Sequence, residues 1–314
     1  MLHASEWSEV VGEGVFAIDT GYVRPRLDAS HLLIEQGRAA LIDVGVNRSV
    51  PRILAAIAER GLSVDDVELI ILTHIHLDHA GAAGALMEAL PRATLIVHPR
   101  GARHMADPSR LIAGSRAVYG AEAYDALYGK ILPIPADRIQ VTEDGETLTL
   151  GSRPLTFLHT PGHAKHHHCI IDRASSAVFT GDTFGLSYRE LDVDGRPFIL
   201  PTTTPIHFDP DAAHASIDRI RDCRPEAVFL THYSRVEGID ALAGVLHDDL
   251  DAFVALTRIA LTKADPEDWL AEAIQAHLLA RLEVHGYQGG EAESVLEMDI
   301  KLNASGLLVW GRRG

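Results

Sequence analysis

Short apolar runs alternate with amphipathic stretches along most of the chain. Residues 14–24 and 31–45 read as strands, the second split by a turn at Gln36-Gly37. Asn47 or Ser49 is placed to cap a helix with Pro51 in its first turn, and Gly61 marks its end. Ile53, Leu54 and Ile57 share one face of that helix. Val67 to Leu72 is a nearly continuous apolar run, the pattern of a strand buried on both faces. It stops at Thr73. The next helix is predicted from about Asp78 to Leu90, before Pro91. Leu95–Val97, Leu155–Leu158 and Ala177–Phe179 are further strands. Residues 101–130, with Tyr119, Tyr124 and Tyr128, read as an inserted helical excursion. From 239 to 285 the chain is rich in Ala, Leu, Asp and Glu at helical spacing. Asp265-Pro266-Glu267 is a helix start, Gly286 to Gly290 a break, and 291–310 a last helix. The reading is an α/β domain over 1–238 and a helical extension over 239–314.

The pattern echoes itself. Leu41-Ile42-Asp43 precedes a helix and then a strand ending Leu72-Thr73-His74. Thr180-Gly181-Asp182 precedes a helix at about 210–222 and then a strand ending Leu230-Thr231-His232. Two such halves facing each other would set acidic and histidine side chains at matching strand ends.

Composition narrows the function. The 314 residues carry 28 basic and 44 acidic side chains, a net charge of −16. Phosphate-backbone binding needs clustered Lys and Arg, so a nucleic-acid partner is not expected. No apolar run is long enough to span a membrane, and the N-terminal stretch lacks the basic and apolar regions of a secretion signal. Two cysteines, Cys169 and Cys223, have no paired spacing and read as packed thiols. A reducing, cytoplasmic setting is the expectation.

The 18 histidines matter by position. Thr73-His74-Ile75-His76-Leu77-Asp78-His79 sits where a buried strand gives way to a helix. In an extended segment His74 and His76 point to one side, and Asp78 and His79 enter the first helical turn. Imidazole and carboxylate suit zinc, iron or manganese. Burying these groups without a metal would leave costly unpaired polar atoms. His98, His104, His159, His214, His247, His277 and His285 are scattered and read as surface or core residues. His166, His167 and His168 read as the start of a strand, one of them supporting a ligand.

The His-x-His-x-Asp-His run resembles the signature of the metallo-β-lactamase superfamily. Thr160-Pro161-Gly162-His163, Phe179-Thr180-Gly181-Asp182-Thr183 and Leu230-Thr231-His232 are similar to its later motifs, in order, over roughly residues 12–235. The resemblance implies a four-layer αβ/βα sandwich with metals at the edges of two sheets. It implies that His74, His76 and His163 hold one metal, that Asp78, His79 and His232 hold another, and that Asp182 bridges. Asp78 and Asp182 would thus be catalytic residues as well as ligands. Asp43, in Leu41-Ile42-Asp43-Val44-Gly45, matches a supporting position of the family. Two divalent ions, zinc first, would share a hydroxide that attacks a small-molecule electrophile.

The superfamily does not fix the reaction. β-Lactamases usually lack the bridging aspartate, and Asp182 disfavours that activity. RNA-processing members fit poorly with the charge. Flavin-dependent diiron members usually carry Glu at the position of His76. Val178 to Phe184 is similar to the glyoxalase II branch of thioester hydrolases, which also has a helical C-terminal part. The following Gly185-Leu186-Ser187-Tyr188-Arg189 departs from that branch. The expectation is a metal-dependent hydrolase of an ester, thioester or lactone. The alternatives are a mononuclear iron enzyme of the persulfide-dioxygenase type and a metal-bearing regulatory protein. Tyr188, Arg189, His207 and Tyr233 are the candidate substrate contacts. The insert and the C-terminal helices are candidates for a wall, a lid or a homodimer surface.

Overall fold

A parallel run of four strands in one sheet and a parallel pair in the other set the frame, and antiparallel strands extend each sheet. The computed structural model describes residues 6–313. The first five residues, part of the stretch read as lacking a secretion signal, lie outside it. The first sheet runs in chain order through β1 (Ser8–Gly12), β2 (Val15–Asp19), β3 (Ala29–Glu35), β4 (Arg38–Ile42), β5 (Val67–Ile71), β6 (Thr94–Val97) and β7 (Ile139–Val141). The second contains β8 (Thr147–Leu150), β9 (Arg153–His159), β10 (His168–Asp172), β11 (Ala177–Gly181), β12 (Ala227–Leu230) and β13 (Ser234–Glu237), in spatial order β13-β12-β11-β10-β9-β8. β4 pairs parallel with β5, and β11 with β12.

The alternation of side chains makes three apolar layers. Leu33, Ala40, Ile42 and Ile71 of the first sheet meet Phe157, Ile170, Phe179 and Phe229 of the second. The opposite face of the first sheet presents Leu32, Leu41 and Ile70 to Ile53 and Ile57 of α1 (Val50–Glu59) and to Leu86 of α3 (Ala83–Ala89). The outer face of the second presents Val178, Val228 and Leu230 to Ile217 and Ile220 of α7 (Pro210–Asp222). Helix, sheet, sheet, helix is the expected four-layer sandwich. The same apolar cluster continues into α8 (Ile239–Ala260), α9 (Pro266–His285) and α10 (Ala292–Gly311) through Leu246, Phe253, Leu278 and Leu296. No helix among the described residues is long and apolar enough to cross a membrane.

The helix expected over Asp78–Leu90 is two pieces, α2 (Leu77–Ala80) and α3. Ala82 N–H donates to Gly45 O at 2.9 Å, which pulls the break onto the loop after β4. Ser49 stands before α1, but its Oγ accepts from Val46 N–H (3.1 Å) and leaves the helix uncapped. Asn47 instead donates to the carbonyls of Tyr128 and Lys130 at 3.1 and 2.8 Å, tying down the insert. That insert is helical, as α4 (Pro99–Ala106), α5 (Ser109–Tyr119) and α6 (Ala121–Leu127).

Candidate metal centre

Parallel strands place their carboxyl ends at one edge, and side chains just beyond them converge there. β5 ends and releases Thr73 and His74. The chain stays extended at His76 (φ −63°, ψ 149°) and winds into α2, whose first turn carries Asp78 and His79. His163 follows β9, Asp182 follows β11 and His232 follows β12. All seven predicted ligands meet at this edge. The ligand atoms of His74, His76, His163 and Asp182 lie within 4.8 Å of one another, and so do those of Asp78, His79 and His232.

Asp182 stands between the two groups. Its Oδ2 is 3.4 Å from His163 Nε2, and its Oδ1 is 3.2 Å from His79 Nε2 and 3.7 Å from His232 Nε2. Asp78 Oδ2 lies 3.6 Å from His232 Nε2. His74 Nε2, His79 Nε2 and Asp182 Oδ1 are buried with no hydrogen-bond partner. Leaving such atoms unsatisfied costs about 1–3 kcal/mol each. Divalent cations fit them, because imidazole and carboxylate donors converge where nothing else answers their lone pairs.

The ring tautomers are fixed from behind. His79 Nδ1 donates to Asp43 Oδ2 (2.8 Å), His232 Nδ1 to Leu27 O (2.7 Å) and His163 Nδ1 to Thr202 O (3.2 Å). Carbonyl and carboxylate oxygens can only accept here, so in the neutral form each ring keeps its Nε2 lone pair toward the cluster. Asp43 also accepts from Thr73 N (2.8 Å), Thr73 Oγ1 (2.7 Å) and Thr231 Oγ1 (2.8 Å). One buried carboxylate therefore clamps both halves of the fold. His167 plays a related part under Asp182. Its Nε2 accepts from Asp182 N–H (3.3 Å), and its Nδ1 faces the hydroxyls of Thr160 (2.9 Å) and Thr183 (3.0 Å). His168 opens β10 and donates from Nε2 to Leu72 O at 2.7 Å.

Charge is divided unevenly. Burial and the neighbouring histidines push His74 well below the usual imidazole range, and burial with His163 pushes His76 to about 3. Burial also opposes protonation of His79 and His232. Asp182, Asp43 and Asp78 nevertheless hold His79 well above its ordinary value, and Asp182 with Asp78 holds His232 at about 9. Burial disfavours the charge on Asp182, yet His79, His163 and His232 keep its carboxyl well below the usual range.

A cavity of about 340 Å³ opens over His76, Asp78, Asp182 and His232. Its walls come from Leu111, Val118 and Tyr119 of α5, from Met298 and Leu302 of α10, and from the 204–207 segment. Of the four predicted substrate contacts, His207 lines it. Tyr188 is buried and donates to Asp299 Oδ1 (3.1 Å). Arg189 turns to Ser187 O (2.7 Å) and Asp192 (3.3 Å), and Tyr233 turns to Glu9 (3.5 Å). The cavity lining adds Tyr22, His166 and Asp299. The Tyr22 hydroxyl shares a 2.9 Å hydrogen bond with that of Tyr128.

α10 reaches the ligands indirectly. Asn303 Oδ1 accepts from Thr203 N–H (2.6 Å), and its Nδ2 donates to Pro201 O (3.1 Å). These bonds hold the strand of chain whose Thr202 carbonyl orients His163.

The architecture and this ligand edge are those of a metallo-β-lactamase fold. The Metallo-beta-lactamase superfamily matches residues 15–232, and the chain belongs to that superfamily. It is 25% identical over 223 residues to the metallo-beta-lactamase fold-containing protein ST1585 of Sulfurisphaera tokodaii, covering 70% of this chain and 78% of that one. It is 26% identical over 204 residues to human acyl-coenzyme A thioesterase MBLAC2, covering 58% and 68%. The crystal structure of the family protein TTHA1429 from Thermus thermophilus superposes with a TM-score of 0.68 at 20% identity, covering 96% of this chain and 93% of that one.

Proposed function

We propose that this protein is a binuclear metal-dependent hydrolase of an ester, thioester or lactone. The observation that carries the reading is Asp182, set between two triads with its Oδ1 unpaired in a buried site. His74, His76 and His163 would hold one cation, Asp78, His79 and His232 the other, and Asp182 both. When bound, two such cations supply Lewis acidity and a hydroxide nucleophile at neutral pH. Asp43, Leu27 O and Thr202 O keep the ring protons on Nδ1, so the Nε2 lone pairs face inward. The walls from α5 and α10 exclude water and hold the apolar part of the substrate. Thioesters head the substrate list. Human MBLAC2 is named an acyl-coenzyme A thioesterase. The stretch Val178–Phe184 and the C-terminal helices resemble the glyoxalase II branch.

Elemental analysis of purified protein, paired with aryl esters, acyl thioesters and lactones as substrates, tests the reading. Two cations per chain and turnover lost on chelation are expected. A single iron per chain with no hydrolysis would replace hydrolysis by an oxidative activity. Full metal loading with no turnover would leave a binding protein.

A further inference from the structure

Three of the seven tyrosines, Tyr22, Tyr119 and Tyr128, share the wall of the cavity that His76, Asp78, Asp182 and His232 also line. Tyr22 lies on the loop between β2 and β3, Tyr119 ends α5 and Tyr128 follows α6, so two of the three come from the insert. Their rings gather on Tyr128. The Tyr22 and Tyr119 centroids lie 6.0 and 5.6 Å from it, and Tyr124 packs there as well at 5.5 Å. The hydroxyls of Tyr22 and Tyr128 are the pair at 2.9 Å, and the Tyr119 hydroxyl bonds to that of Tyr128. A chain of three hydroxyls uses two of its three hydrogens internally. The third has no acceptor among the described residues, and the cavity is where one can enter.

Both supports of this chain are fixed at the backbone. Thr20 Oγ1 accepts from Tyr22 N–H (3.2 Å) and donates to Asp28 O (3.2 Å), and Asp19 Oδ1 accepts from Gly21 N–H (3.0 Å). The same loop carries Leu27, whose carbonyl orients His232, so Tyr22 and that ring are set by one piece of chain. On the other side Asn47 holds the Tyr128 carbonyl. Tyr22 and Tyr128 are each only 2% exposed, whereas Tyr119 stands next to the exposed Val118. Burial first, and then Asp78, push all three phenols above their ordinary range. They stay protonated at any working pH and act only as donors and neutral acceptors.

We propose that the Tyr22 hydroxyl, positioned by Tyr128, donates to the leaving-group oxygen of the substrate, so that the insert takes part in catalysis. This rests on the hydrolase reading above. It counts most for an alkyl ester or lactone, because an alkoxide leaves far less readily than a phenolate or a thiolate. Water adds across the acyl–oxygen bond. A C–O bond forms from water and the bond to the leaving group breaks. The leaving oxygen ends with the proton from the Tyr22 hydroxyl, which water restores, giving an acid and an alcohol with no redox change.

The test reads the acetates of 4-nitrophenol, phenol, trifluoroethanol and ethanol, in order of rising leaving-group basicity. With metal-loaded protein, Tyr22→Phe should lower kcat/KM by about threefold for the first and about 10²-fold for the last, a steeper dependence on the leaving group. Tyr128→Phe should steepen it in the same direction by less, as expected of a positioning residue. Elemental analysis should find wild-type metal content in both variants. A second readout needs no turnover: calorimetric binding of ethyl methylphosphonate and of methyl(propyl)phosphinate, which has a methylene where the ester oxygen stands. Tyr22→Phe should weaken the phosphonate relative to the phosphinate by about threefold or more. An equal loss across the four acetates, or a phosphonate preference untouched by Tyr22→Phe, would overturn the assignment and leave hydrolysis standing. Loss of metal from both variants would make the chain structural and overturn it too. No turnover of any acetate, together with a phosphonate preference that Tyr22→Phe erases, would sink the hydrolase reading and spare the donor.

Discussion

The two halves of the fold end their parallel strands alike and use the ending differently. After β4 the left-handed residue is Asp43 itself, at φ +49°. In the second half it is Gly181, the last residue of β11, at φ +48°, and the acid comes one residue later as Asp182. That offset separates two roles. Asp43 turns back between the strand ends and accepts from Thr73, Thr231 and His79. Asp182 emerges past the turn, among His79, His163 and His232. One acid holds the scaffold and the other faces the candidate ligand cluster. A repeated strand-helix-strand unit can thus diverge in function through the placement of one left-handed residue.

The comparison can be broken at its strongest point first. Asp182→Ala should empty both cation positions and lower hydrolysis by about 10³-fold or more, read by elemental analysis and steady-state kinetics. Retention of one cation at full occupancy would show that Asp182 does not serve both. Asp43→Asn preserves shape but weakens the hold on His79, and should lower metal affinity by about 10–100-fold in a chelator competition. An unchanged affinity would make Asp43 a purely structural acid. Gly181→Ala introduces a Cβ 2.5 Å from Thr73 Oγ1 and 2.6 Å from His167 Nε2, at a positive φ. It should cost about 3 kcal/mol in denaturant unfolding, from strain and overpacking together. Thr231→Val removes one hydroxyl from Asp43, and the smallest loss, about 1.5 kcal/mol, is expected in the same unfolding experiment. If Thr231→Val proved as damaging as Gly181→Ala, the link between the halves would weigh more than the turn.

The candidate ligands could be picked out because each lies within a few residues of a recognisable strand end. The buried strands were legible for a related reason: Val67–Ile71 and Ala177–Gly181 face apolar neighbours on both sides, and read as apolar runs that only Glu68 and Thr180 interrupt. The strands the pattern missed are β1, β7, β8 and β13, and all four are sheet edges. Edge strands are short and half polar, as in Ser234-Arg235-Val236-Glu237, so alternation over so few residues says little. The break at Gly81 was hidden because its cause, Ala82 N–H bonding to Gly45 O, is a tertiary contact. Tyr188, Arg189 and Tyr233 sit near ligands in sequence yet point into packing. Tyr22 and Asp299 line the cavity from opposite ends of the chain, where no local spacing joins them.

The grip of Asn303 on the Pro201–Thr203 segment has a practical side. Gly306 lets that segment ride directly on the helix, since a Cβ there would fall 1.7 Å from Thr203 O. Trimming, circularly permuting or exchanging the final helix would therefore detune the ring of His163 from a distance. An engineer seeking a different substrate by swapping this helix would need to transplant its asparagine and glycine along with the wall residues.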